Sequence, residues 1–246
     1  MKKVAIDKNI FRANDIRGAQ EDYVKSLNIE KGSLLSKSAH GAVINAETAY
    51  VIGRSVADLF APKKVVIGHD TRLTSPELYD AAIEGLIEGG VDVTMIGIST
   101  SDLLYFAVGN YKYSMGMMIT GSHTIKYLNG IKICRLTDKT VTPIYQGHGM
   151  EELKEYLLAQ KFKQVEKKGT VCEKNCYLDY AEHILKIFPE YNKFKFHKIV
   201  LDAANGTAGV VYKNIFDRLN IKAIELNFNP DGNFPAHDPD PAIFEN

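Results

Sequence analysis

An α/β fold, with mixed or parallel sheets sandwiched by helices, is predicted by three features of the sequence. Residues 65–96 read as strand, helix, strand, residues 198–227 repeat that order, and between them two apolar runs, 115–120 and 130–133, flank a short polar loop. A strand, helix, strand unit of this length lays its strands parallel with a right-handed crossover. At 246 residues the chain exceeds one typical domain. Two are expected, residues 1–148 and 149–246, divided where the sequence turns polar around Gly147 and Gly149.

The chain opens with Lys2 and Lys3, but Asp7, Lys8 and Asn9 interrupt any apolar run of the kind a secretion signal needs. Residues 10–18, IFRANDIRG, set Arg12, Asp15 and Arg17 before Gly18. Such a cluster is either an exposed charged turn or a place where one guanidinium forks onto phosphate oxygens, with Arg17 the candidate. Residues 19–44 lack periodicity and read as a long loop or insertion. Asn45 then caps a helix in which Val51, Ile52, Val56, Leu59 and Phe60 recur at helical spacing until Pro62.

In the first strand, helix, strand unit, residues 65–68 form the opening strand and Ser75-Pro76-Glu77 supplies an N-cap with proline at the first helical position. Gly89-Gly90 ends the helix and residues 91–96 form the next strand. His69, Asp70 and Arg72 follow the carboxyl end of the first strand, where open α/β sheets build sites. The same residues could equally make a helix-entry network. A short helix over 102–108 leads to the strand 115–120, whose methionines are core filling.

The strand 115–120 delivers Ser122 and His123 into a polar loop, and Lys132 lies inside the apolar run that follows. A hydroxyl, an imidazole and an ammonium at the end of a buried strand suit phosphoryl handling. A serine nucleophile needs a proton acceptor nearby, and a phosphate on it needs fixed donors and positive charge.

Beyond residue 148, helices are expected over 150–161 and 175–188, then the second strand, helix, strand unit. Its glycine loop, Ala204–Gly209, lacks the Lys-Ser/Thr ending of a P-loop and reads as a close-packing turn more readily than a phosphate cradle. Residues 229–246 hold Asp231, Asp238 and Asp240 among four prolines. The spacing is not that of an EF-hand loop, and the prolines predict an extended, linker-like strand.

Composition excludes several classes. Apolar content of 45% and charged content of 24% are those of a globular protein. Lysine plus arginine equals aspartate plus glutamate at 30 each, so no global field attracts nucleic acid or an anionic membrane. No run approaches the ~20 apolar residues of a spanning helix. Three cysteines, Cys134, Cys172 and Cys176, offer neither a disulfide framework nor zinc-site spacing. A cytoplasmic protein with no nucleic-acid or membrane partner is expected.

In order along the chain, IFRANDIRG, VVIGHDTRLTSPEL, GISTSDLLYFAV, MMITGSHTIKYLNGIKI, IVLDAANGTAG and NPDGNFPAHDPDP resemble the α-D-phosphohexomutase family, in its phosphomannomutase/phosphoglucomutase branch. The resemblance covers nearly the whole chain apart from residues 19–44. It implies domain I with the phosphoserine loop and most of domain II of an isomerase that interconverts hexose 1-phosphate and hexose 6-phosphate, of mannose or glucose, through a bisphosphate intermediate. By motif match Ser122 is the phosphorylated residue, His123 its neighbour, and Lys132 and Arg17 the acid/base and electrostatic groups. Asn14 replaces a usual sugar-contacting tyrosine, and Thr124-Ile125 replace a usual Asn-Pro.

The family's Mg²⁺ loop, an Asp-Gly-Asp-x-Asp-Arg run, is not found, so a metal would meet this chain only through the phosphate on Ser122. The resemblance therefore implies an N-terminal half, a poor or inactive mutase alone, which is either a piece of a longer chain, one subunit of a split enzyme whose partner is a separate C-terminal half, or a frameshifted remnant. A non-catalytic remnant that binds a phosphosugar or a partner is the alternative.

Overall fold

The computed structural model describes residues 3–28, 37–190, 198–219, 223–240 and 242–243. Two apolar runs form its centre. In β2 (Lys64–His69) the residues Val65, Val66 and Ile67 are fully buried, and in β4 (Met115–Ile119) every residue is buried. A strand covered on both faces reads as a continuous apolar run, which is how both appear in the sequence. Successive side chains point to opposite faces. Val65, Ile67, Met117 and Ile119 join one core with α2 (Ala46–Phe60) and α3 (Ser75–Glu88), while Val66 and Met118 join a second with α4 (Ser101–Tyr111).

Around this pair the larger sheet runs β1-β5-β4-β2-β3-β7, and β6 also pairs with β5. The outer members are β1 (Ile16–Ala19), β3 (Asp92–Ile98), β5 (Leu128–Thr137), β6 (Thr140–Pro143) and β7 (Val171–Glu173). β2 is parallel to β3 and β4, as the crossover rule requires, whereas β5 is antiparallel to β4, β1 and β6. The sheet is therefore mixed.

Local signals held at several element ends. Asn45 Oδ1 accepts from Thr48 N at 3.0 Å and starts α2. That helix closes at Ala61, in the left-handed region just before Pro62. Residues 19–44 include a short helix, α1 (Glu21–Ser26), and Ala19 bridges Val43, so the stretch returns to its start. Residues 29–36 of the stretch lie outside the described residues.

The segment after residue 148 continues the first layers. Met150, Leu153 and Leu157 of α5 (Met150–Ala159) belong to the same core as α2, and β7 extends the sheet from β3. α6 (Tyr177–Ile187) packs on α4, where Tyr180 OH donates to Asp102, and on the end of β3, where Tyr177 OH donates to Ile98 O at 2.7 Å. The second strand, helix, strand unit is β8 (Ile199–Asp202), α7 (Ala208–Val211), α8 (Lys213–Arg218) and β9 (Ala223–Leu226), with its two strands parallel. Lys222, expected to open the last strand, lies outside the described residues. Among the described residues no helix is long and apolar enough to cross a membrane.

Candidate functional site

β4 ends at Ile119, and the chain turns sharply into the polar loop. Ser122 sits at φ +61, in the left-handed region that non-glycine residues rarely occupy. Its amide donates to Thr120 Oγ1 at 2.9 Å, and Thr124 Oγ1 closes the turn by donating to Gly121 O at 2.6 Å. Threonine and isoleucine at 124 and 125 thus accommodate a hydrogen-bonded loop. Ser122 Oγ lies 3.3 Å from His123 Nδ1 and is exposed.

Asp70 holds this loop. One carboxylate oxygen accepts from Thr120 Oγ1 at 2.8 Å, Gly121 N at 3.2 Å and Arg72 Nε at 3.1 Å. The other accepts from Arg72 N at 3.0 Å and from Ser75 Oγ. Ser75 was expected as the N-cap of α3, but it is the first helical residue, after Thr74, and its hydroxyl turns to Asp70. A buried carboxylate recruits every donor in reach, because an unmet charge there is costly.

Arg72 completes the scaffold. It is 1% exposed. Its guanidinium donates to Ile125 O at 2.7 Å, Thr124 O at 2.7 Å and Ser122 O at 3.1 Å. Burial pushes the guanidinium below its ordinary value, and Asp70 opposes that. A Cβ at Gly121 would lie 2.4 Å from Arg72 Nε, so glycine is required where loop and guanidinium meet. Asp70 and Arg72 are therefore both helix-entry network and loop scaffold.

Lys132 and Arg17 come together on adjacent strands. Arg17 pairs with Gly130 across β1 and β5, and both cations reach Asp15 Oδ2, Lys132 Nζ at 3.0 Å and Arg17 through Nη2. Arg17 Nε is buried without a hydrogen-bond partner. Among the described residues no hydrogen bond links Ser122 or His123 to Lys132 or Arg17. Asn14 is exposed in the bend before Asp15.

A cleft of ≈ 220 Å³ lies between the Ser122 loop and the second unit, with Arg72, Ser122 and His123 on one wall and Ala204, Gly206 and Thr207 on the other. Ala204, Gly206, Thr207 and Ala208 of the Ala204–Gly209 loop, expected as a packing turn, thus line the same cleft as the serine. A larger hollow of ≈ 420 Å³ around Phe11, Arg12, Gln146 and Lys154 holds none of these loop residues, so chemistry and not size selects the smaller cleft. Among the described residues no group of three or more His, Cys, Asp or Glu could hold a metal ion. Both Asp70 oxygens are taken by protein donors, so the residues here do not by themselves fit Mg²⁺.

Residues 8–146 match the family model for phosphoglucomutase/phosphomannomutase, alpha/beta/alpha domain I, and residues 176–246 match that for domain II. The chain belongs to the phosphoglucomutase/phosphomannomutase family. A phosphoglucomutase of Neisseria gonorrhoeae is 32% identical over 98% of the chain and 47% of its own length. A phosphomannomutase/phosphoglucomutase of Pseudomonas syringae pv. tomato is 33% identical over 96% and 45%. The crystal structure of a family protein from Burkholderia thailandensis superposes with a TM-score of 0.72 at 29% identity, over 97% of this chain and 48% of that one. The chain spans about half the length of the curated relatives it matches.

Two features of the site escaped sequence reading. Asn129, buried in β5, donates to Ser75 Oγ and Thr74 Oγ1, both at 2.9 Å, tying the strand to the start of α3. The segment 231–234, expected as part of a linker, docks instead on the turn around Arg72. Its Asp-Gly pair was the one signal of a tight turn.

Proposed function

We propose that this chain carries the phosphoserine half of a phosphohexomutase acting on glucose or mannose phosphates. The observation that carries the reading is the Ser122 loop, held open at a strand end by Asp70 and Arg72 and facing the second unit across the cleft. In the proposed reaction a sugar hydroxyl attacks phosphorus and the phosphorus–oxygen bond on Ser122 breaks; the hydroxyl proton passes to a basic side chain, the departing serine oxygen takes up a proton, and the reverse transfer from the bisphosphate intermediate restores phosphoserine. Lys132 and Arg17 serve as acid/base and electrostatic groups for that transfer, with Asp15 holding both, and His123 stands beside the serine oxygen. Asn14 is proposed at the sugar side, where its short side chain fills less space than a tyrosine.

The complete enzyme is proposed to be a Mg²⁺-dependent cytoplasmic isomerase, its metal ligands supplied beyond the residues described and joined by the phosphate on Ser122. The two domains are proposed to meet between residues 146 and 176, where the two family matches stop and start. A separate C-terminal half is the proposed partner, and residues 1–246 alone are proposed to be inactive.

Peptide-level mass spectrometry on Ser122, before and after incubation with glucose 1,6-bisphosphate and Mg²⁺, tests the reading. Phosphate on Ser122 supports a competent half. Its absence, together with hexose-phosphate binding by calorimetry, supports the second reading, a non-catalytic binder. Mutase turnover by the isolated chain at ordinary enzymatic rates would overturn the half-site proposal.

A further inference from the structure

The guanidinium that supports three carbonyls of the Ser122 loop is itself held by the second unit. Arg72 Cζ lies 5.6 Å from the centroid of the Phe234 ring, within the range of a cation–π contact. Gly232 is buried against the same turn, where a Cβ would lie 2.5 Å from Thr71 O and 2.6 Å from Leu73 N. The segment is anchored from behind. Asp231 N donates to Asn205 O at 2.9 Å, Thr71 Oγ1 reaches the same carbonyl at 3.4 Å, and Asp231 Oδ1 accepts from Asn233 N at 2.9 Å. On the far side of the loop Lys126 Nζ reaches Asn233 O at 3.5 Å.

Phe234 has φ +51. A bulky aromatic residue in the left-handed region is an outlier that persists only where its surroundings fix it. Here the turn bond from Phe234 N to Asp231 O, at 3.0 Å, and the guanidinium face fix it.

We infer that residues 231–234 form a positioning strap for the nucleophile loop, with Phe234 the positioning residue that acts through Arg72. This rests on the reading of Ser122 as the phosphoryl acceptor. Because Arg72 donates to the carbonyls of Ser122, Thr124 and Ile125, a guanidinium free to shift releases all three at once. The strap follows directly from the second sheet, so docking of the second unit and order in the serine loop are coupled. The loop is competent only when the strap is seated.

The test compares Phe234→Leu, which removes the ring while keeping apolar bulk, with Phe234→Tyr, which keeps the ring. Hydrogen exchange by mass spectrometry follows peptides covering residues 119–128, and Ser122 phosphorylation by glucose 1,6-bisphosphate and Mg²⁺ is timed on the same samples. Loss of the cation–π contact is expected to raise loop exchange about three- to tenfold in Phe234→Leu and to slow phosphoryl uptake to a similar degree. Phe234→Tyr is expected to restore both, a rescue that general destabilisation does not give. Asp231→Ala, which frees Asn233 at the surface without touching Arg72, is expected to act in the same direction as Phe234→Leu. Loop exchange unchanged in both Phe234→Leu and Asp231→Ala, or raised equally across the whole chain, overturns the strap. If the loop responds and tyrosine rescues while even the wild-type chain takes no phosphate, the strap stands and the phosphoserine reading falls. If uptake is normal in the wild type and in Phe234→Leu with an unaltered loop, the reading stands and the strap falls.

Discussion

Lys132 Nζ lies 3.0 Å from Asp15 Oδ2, although 117 positions separate the two residues in the chain. The antiparallel pairing of β1 with β5 brings them together, and Arg17 reaches the same oxygen. One carboxylate thus serves two cations, with side-chain exposures of 6% for Asp15, 21% for Lys132 and 19% for Arg17. Removing the shared anion leaves two half-buried positive groups facing each other, and breaking a fully buried pair costs about 3–5 kcal/mol. Partial solvation of the cations lowers that here. Asp15→Asn is expected to reduce stability by about 2 kcal/mol in urea unfolding. The deficit relative to wild type should shrink in phosphate buffer compared with chloride at equal ionic strength, because phosphate replaces the lost charge. An equal deficit in both buffers would show that these cations do not present themselves to an anion.

Ser122 offers a separation of stability from chemistry. Its φ of +61 costs an L-residue roughly 1–2 kcal/mol, and glycine avoids this while losing about 0.5–1 kcal/mol in chain entropy. Ser122→Gly is therefore expected to be more stable than Ser122→Ala by about 0.5 kcal/mol in denaturant unfolding. Neither variant is expected to take up phosphate. If the alanine variant is the more stable, the left-handed geometry at this position is not the one populated in solution.

What the sequence disclosed was local. The doubly buried runs of β2 and β4, the Asn45 cap and the Ser-His loop at a strand end all lie within a few residues of the atoms that determine them. β1 was hidden because its four residues, IRGA, carry no apolar alternation, and it exists only through the long partner β5. β7, three exposed residues on β3, was hidden for the same reason. In the site, the residue types at 70, 72 and 122 were visible, but the direction of the Arg72 guanidinium was not, since its three carbonyl acceptors lie 50 or more positions away. Proline density in the last segment suggested a linker, while its docking depends on Gly232 fitting against the backbone of Thr71, Arg72 and Leu73, about 160 positions earlier.

The three thiols should differ sharply in reactivity. Cys172 is exposed, whereas Cys134 is buried and its thiol is pushed up to about 12 by desolvation. Cys176 is buried as well, and burial raises its thiol too. Only the thiolate attacks disulfide reagents. The native chain at pH 8 is expected to release one equivalent of chromophore from an aromatic disulfide reagent, with mass mapping to Cys172, and about three after unfolding. Rapid native modification of Cys134 would mean that the α4 face of the sheet opens.

At the end of β8, His237 Nε2 lies 3.3 Å from Asp202 Oδ2, and His237 Nδ1 lies 3.0 Å from Asp238 O. Both ring nitrogens face acceptors, an arrangement only the imidazolium satisfies. The Asp238 carbonyl, followed by Asp202, accordingly raises the imidazole above its ordinary 6.5. Asp202 moves the other way from its ordinary 3.8, lowered first by the Ala204 amide and then by Asn227 and His237. A raised histidine contributes stability fully below its unfolded value and loses it as pH rises through the folded one. A lowered carboxylate contributes above its unfolded value and loses it as pH falls through the folded one. The two contributions therefore overlap in full between about 3.8 and 6.5. Above that window the support of the Ala204 turn, which borders the Ser122 cleft, weakens as His237 deprotonates. An NMR titration of the His237 ring is expected to give a midpoint above 6.5, which Asp202→Asn moves back down. The stability difference between wild type and His237→Gln should shrink as pH rises through that midpoint. A midpoint at or below the ordinary histidine value, or a difference that grows with pH, would contradict the pairing.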